Sequence, residues 1–269
     1  MTRFSGSGAG LAGVLVALAA SPLAGQSVQY SGSVGYATGS YDFAERTSSV
    51  SILNGLSIAG GRWSLSATVP ITIQNSGDVS YVGGMQVPTG SGRDGMGGRM
   101  GSSGAAGGYE AVLADPVLQG AVTAYQGFGA LRTVELRAMA KAPLADPATG
   151  VGTGQWDAGG GVSVGFGAGT TYIFVDGSAW SPGDMPDLEL KPYGTVAAGM
   201  GRPVGNRWSA LASVSLSSAM IDGIAPPATL GGGLSYRLAE GRSINAGASV
   251  GLTDSAPDLS IYLGWSAGP

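Results

Sequence analysis

Alternation of apolar and polar residues, sustained over segments of about ten residues, is the feature that most restricts what this chain can fold into. In residues 62–75, Trp63, Leu65, Ala67, Val69, Ile71 and Ile73 fall on one face, and Ser64, Ser66, Thr68, Thr72 and Gln74 on the other. Residues 208–217 repeat the pattern, with Trp208, Ala210, Ala212, Val214 and Leu216 opposite Ser209, Ser213, Ser215 and Ser217. Residues 244–253 oppose Ile244, Ala246, Ala248, Val250 and Leu252 to Asn245, Gly247, Ser249, Gly251 and Thr253, and the last segment aligns Leu259, Ile261, Leu263 and Trp265. Successive side chains of a strand point to opposite sides, so each segment reads as a strand with one hydrocarbon-compatible face and one polar face. About twelve such strands are predicted, at 27–38, 47–59, 62–75, 117–127, 133–144, 155–167, 170–181, 187–201, 206–218, 227–238, 243–253 and 258–267. Their length suits a tilted strand crossing a bilayer, and an even number suits a closed antiparallel barrel.

Composition points the same way. Charged residues make up 11% of the chain and mean hydropathy is +0.21, too few charges for an ordinary water-exposed surface. Beyond the N-terminus no apolar run reaches the length of a transmembrane helix. The 50 glycines follow no Gly-X-Y repeat, which excludes collagen. The chain has no cysteine and no histidine, which removes disulfides, thiolate metal sites and every Ser-His or Cys-His catalytic arrangement. No enzyme activity, catalytic residue, cofactor or metal is expected. The formal net charge of −4, or −5 without Arg3, argues against nucleic-acid binding.

Residues 1–26 read as a secretory signal peptide: Arg3 supplies the positive start, Gly10 to Ala20 the apolar stretch, and Ser21 to Gln26 the small-residue cleavage zone. The barrel then occupies 27–269. The segments linking the strands orient it, because such barrels have short periplasmic turns and longer extracellular loops. Short turns are predicted at Ala59 to Gly61, Gly129 to Arg132, Gly167 to Gly169, Pro203 to Gly205 and Ala239 to Arg242; the longest link, glycine-rich, is 76–115. Arg62, Arg132, Arg202, Arg207 and Arg242 lie near the turns, whereas Asp42, Asp78, Asp94, Asp146, Asp184, Asp222, Asp254 and Asp258 fall on the loop side. Trp63, Trp208 and Trp265 are candidates for an interfacial aromatic girdle. A soluble extracellular β-sandwich with Trp63 and Trp208 in its core is the structural alternative.

Val34 to Tyr41, Trp63 to Pro70, Lys141-Ala142-Pro143, Gly152 to Asp157 and the stretch Tyr172 to Trp180 carrying Asp176 occur in an order that resembles the outer-membrane transporter-like proteins of the "meta-pathway of phenol degradation" family. The resemblance spans most of the chain after residue 26. It implies a bacterial outer-membrane barrel that moves small, often hydrophobic or aromatic, compounds. The chain departs from the usual terminal aromatic residue of such barrels, ending Gly264-Trp265-Ser266-Ala267-Gly268-Pro269.

Two Gly-X-Ser-X-Gly matches, at Gly161 to Gly165 and Gly247 to Gly251, lie inside alternating strands with no histidine to activate the serine, so these serines read as wall hydroxyls. The dinucleotide-like run Gly90 to Gly95 lies in a glycine-rich loop rather than between strand and helix. Met85, Met96 and Met100 are too irregularly spaced for a soft-metal site. Glu135, Arg137, Lys141, Asp157, Asp176, Glu189, Lys191 and Arg237 are the candidate lumen-lining residues. They can line a permeation path or pair as a ladder that holds the barrel's shape; periodicity leaves both open. Partners expected are outer-membrane lipid, the barrel-assembly machinery and a small solute. A channel and a closed surface-interaction barrel are the two functional expectations, with loop 76–115 as the expected source of any plug.

Overall fold

The computed structural model describes residues 25–41, 46–74, 79–82, 85–88, 110–145, 152, 154–183 and 189–269. Residues 1–24 of the predicted signal peptide and most of loop 76–115 lie outside the described residues. The strands are β1 Gln26–Gly39, β2 Thr47–Gly60, β3 Trp63–Gln74, β4 Val79–Val82, β5 Met85–Pro88, β6 Glu110–Leu113, β7 Val117–Gln126, β8 Leu131–Lys141, β9 Asp157–Ala168, β10 Thr171–Ser181, β11 Tyr193–Val204, β12 Trp208–Ser217, β13 Ala228–Ala239, β14 Arg242–Gly251 and β15 Leu259–Ala267. Twelve of them, β1–β3 and β7–β15, form a closed antiparallel barrel, each paired to its sequence neighbour and β1 paired to β15. The short β6 adds to the far end of β3, separated from β7 by Ala114-Asp115-Pro116, and β4 and β5 form a separate hairpin.

Hairpin geometry follows from glycine. The links Gly61-Arg62, Gly169-Thr170 and Glu240-Gly241 are two-residue turns, and their glycines have φ of 58°, 60° and 66°, the left-handed region that such turns demand. These turns share one rim with the 127–130 and 205–207 links, opposite the longer loops.

Alternation sorts the two faces as the sequence pattern requires. Val34, Leu65, Leu118, Leu136, Val162, Val175, Val196, Leu216, Leu230, Val250 and Leu263 all point outward and are exposed. In water such a surface is far beyond the few hundred Å² of apolar patch normal for a soluble monomer; against hydrocarbon it is the expected one. The inner face carries serines, threonines, glycines and the charges. A single closed sheet of this kind has a wall rather than a sandwich core, so the soluble-sandwich alternative is replaced by the barrel.

Strand bounds agree with the sequence pattern to within a few residues, with one exception. The strand expected at 187–201 begins at Tyr193, because Pro192 cannot donate to the ladder and Leu190 turns into a buried cluster.

Candidate functional site: the barrel lumen

Strand parity puts Glu135, Arg137 and Lys141 of β8, Asp157 of β9, Asp176 of β10 and Arg237 of β13 on the inner face. Glu189 and Lys191 stand on the loop-side rim instead, ahead of the first residue of β11; Glu189 is exposed and Lys191 pairs with Asp222 at 2.6 Å. Five of the six wall charges therefore share three adjacent strands, and they do not ring the lumen. Arg137 pairs with Asp176 across β9. The strand between them offers Gly161 at the crossing, where a Cβ would lie 3.1 Å from the Arg137 guanidinium, so the bare backbone lets the side chain lie flat along the wall.

Nearer the loop end, Lys141 sits between two carboxylates, 2.9 Å from Asp115 and 3.2 Å from Asp157, with all three side chains almost wholly buried. Asp115 also accepts hydrogen bonds from the Leu144 and Ala145 amides at 2.9 and 2.7 Å, and Asp157 accepts one from the Gly183 amide at 3.0 Å. Three separate loop roots are thus tied to one ammonium. Among the described residues no group of three or more acidic residues is placed to hold a metal ion, and here the lysine is the cation that joins the two aspartates.

Beside this triad the mouth is packed. Trp180 and Tyr193 from the inner wall are buried with Leu190, Met220 and Ile221 from the β10–β11 and β12–β13 loops, against Val117, Met139 and Ile224. Trp180 lies over Gly159, where a Cβ would be 2.6 Å from its ring. On the other side of the mouth Tyr41 is fully buried with a left-handed φ of 51°, next to Gly39 and the 255–258 turn. Described residues of the 189–192 and 218–227 loops and Asp115 thus pack one side of the mouth, while most of 76–115, the expected source of any plug, lies outside the described residues. The packing loops supply Leu190, Met220, Ile221 and Ile224, whose burial is favourable wherever water can be excluded.

The candidate girdle lies on the outer face at the turn-side rim. Trp63 covers Gly60, Trp265 covers Gly32, and Trp208 meets Tyr236 at a centroid distance of 4.8 Å. Sequence reasoning missed Asp115, Tyr172, Phe174, Leu211 and Tyr262, all of which belong to the inner wall or its mouth. Leu211 had a readable signal: it is the one apolar residue in the polar series Ser209, Ser213, Ser215, Ser217.

No protein-family model and no curated protein matches the chain. Solved structures are similar in fold. The outer membrane channel from Pseudomonas putida F1 aligns over 92% of this chain and 97% of its own, at 11% identity and a TM-score of 0.64. The NanC porin aligns over 88% of this chain and 98% of its own, at 9% identity and a TM-score of 0.53. At such identities the likeness is one of fold, and the fold is that of outer-membrane β-barrels.

Proposed function

We propose that this chain is a bacterial outer-membrane channel for small solutes, hydrophobic or aromatic ones among them, and that it performs no catalysis. The observation that carries the reading is the inner wall. A barrel of about eight strands fills itself with side chains and one of roughly sixteen leaves an aqueous pore, so at twelve the size of the inward residues decides. Here they are mostly glycine, serine and threonine, and four of the six wall charges are paired along one side, Arg137 with Asp176 and Lys141 with Asp157. On this reading the chain is exported by a signal within residues 1–26, inserted by the barrel-assembly machinery and surrounded by outer-membrane lipid. The likeness to a structure described as an outer membrane channel supports it, as does the family resemblance in the order of segments.

Purified protein in planar bilayers is expected to give discrete current steps; insertion without any steps overturns the channel reading. Mild cation preference at low salt follows from the acidic loop side, and a reversal potential showing clear anion selectivity refutes it. Because Arg137 and Asp176 neutralise each other, removing one exposes the other's charge to the lumen. Arg137→Gln is expected to raise, and Asp176→Asn to lower, the cation-to-anion permeability ratio by roughly twofold each. Shifts of the same sign would show that the pair does not face the ion path.

The buried packing at the mouth favours a second reading, a closed surface-interaction barrel, which the same recordings separate from the first.

A further inference from the structure

The register of the ladder aligns one row of inner-wall residues across neighbouring strands: Tyr172 pairs with Gly201, Gly201 with Leu211, Leu211 with Gly233, Gly233 with Gly247, Gly247 with Tyr262 and Tyr262 with Gly35. Each large apolar side chain in it is flanked by glycine on both neighbouring strands, since Tyr172 also pairs with Gly167. The rows on either side carry hydroxyl and amide groups: Ser213, Ser249 and Ser260 on one side, interspersed with Phe174, Gly199, Gly231 and Ala37, and Ser209, Ser235 and Asn245 on the other.

The glycines let the rings lie down. A Cβ on Gly247 would be 2.6 Å from the Tyr262 ring and one on Gly233 3.0 Å from its hydroxyl, so the ring spans two strands against bare backbone. Tyr172 lies the same way over Gly165, its hydroxyl 3.3 Å from Thr133, and Phe174 lies against Gly199. Flattening the rings does not bury them: Tyr172, Leu211 and Tyr262 keep 42%, 43% and 42% of their surface accessible, on the lumen side. Strands of such a barrel tilt by roughly 35–45°, so a row perpendicular to them climbs as it goes round. From β10 to β15 it covers about 24 Å, at strand spacings of about 4.8 Å, and rises about 15 Å along the axis. It runs from beside the 169–170 turn, where Tyr172 sits, to the loop half of β15, where Tyr262 sits.

We propose that this row is a binding track for small neutral molecules with a flat apolar body and a hydrogen-bonding group. The apolar body rests on Tyr172, Leu211 and Tyr262 while the polar group bonds to the serine and asparagine rows beside them. The track rests on the channel reading and assigns that channel its solute class. Apolar side chains two or three strands apart, with hydroxyls in the rows beside them, give such a molecule successive partners along the climb.

Phenyl β-glucoside and methyl β-glucoside test the track, since they share the polar group and differ in the flat apolar part. In single-channel recordings phenyl glucoside is expected to interrupt the ionic current with dwell times about fivefold or more longer than methyl glucoside. The double variant Leu211→Ser/Tyr262→Ser is expected to bring the two dwell times together while leaving methyl glucoside unchanged. Rings that merely cover the backbone would leave the phenyl-to-methyl ratio where it was, and that result overturns the proposal. Equal dwell times in the unaltered protein overturn it too. Should the double variant fail to show heat-modifiable migration on gels, Leu211→Thr alone carries the same comparison. Should the protein give no current at all, the channel reading falls, and calorimetry of detergent-solubilised protein with both glucosides decides the track separately: preference for the phenyl compound that Leu211→Ser removes supports it, and equal or absent heats overturn it.

Discussion

Lys141→Met is expected to destabilise the barrel by about 3–5 kcal/mol, because it strands two carboxylates in a site that excludes water. The lysine is fully buried and lies within 3.2 Å of both Asp115 and Asp157. Methionine nearly matches its volume, so the loss reads the charge rather than a cavity. The measurement is the temperature at which the folded form disappears on semi-native gels, compared across variants. Adding Asp115→Asn and Asp157→Asn to Lys141→Met is expected to restore most of the loss, since replacing a whole buried ionic group is far less costly than breaking it. If Lys141→Met alone leaves the transition unchanged, the triad does not hold the loop roots.

Trp180→Ala is the second large effect expected. Trp180 is buried at the centre of the mouth cluster, and removing so large a side chain from a packed site costs about 3–5 kcal/mol. The loss falls on the two loops that pack against it, at Leu190 and at Met220 with Ile221, and not on the strand ladder. Limited proteolysis is therefore expected to cut within 182–192 and 218–227 while the barrel itself stays protease-resistant. In bilayers the same variant is expected to show larger and noisier current steps, because the cluster occupies one side of the mouth. Unchanged cleavage and unchanged conductance would show that the cluster is not what holds these loops.

Much of this architecture was legible in the sequence because a barrel wall is one sheet with two unlike environments, and a period of two records them directly. Trp63 to Ile73 and Trp208 to Leu216 assign their own faces without reference to anything distant. The same logic put Glu135, Arg137, Lys141, Asp157 and Asp176 on the inner side. It failed at Glu189 and Lys191, where Pro192 ends the ladder and a continued alternation in the letters has no strand beneath it. Pairing was less readable than parity. Asp115 meets Lys141 only through the β7–β8 register and the short break before β7, and neither leaves a trace in local periodicity. The apolar row was obscured for a different reason. An outward tyrosine and an inward one look alike, and although Leu211 stands out in its own polar series, it joins a row only once its neighbours Gly201 and Gly233 are known. The glycines, conspicuous in the composition, acquire a physical role only when register sets them beside the rings they accommodate.

The pairing of β1 with β15 also bears on how the molecule comes to exist. Apart from β3 with β7, which are separated by residues 75–116, every other pair in the wall joins strands adjacent in sequence, which can form locally as hairpins; the pair running from Tyr30 with Ala267 to Thr38 with Leu259 joins the first strand to the last. The entropy of closing so long a loop makes this seam the last contact to form. Until it does, two strand edges stand open, each a template for another chain. Synthesis from the N-terminus delivers β15 last, so a shortened chain is left with a permanent edge. Assembly is in that sense a zipper with its slider at the C-terminus, and the Trp265 ring seated over Gly32 fastens it.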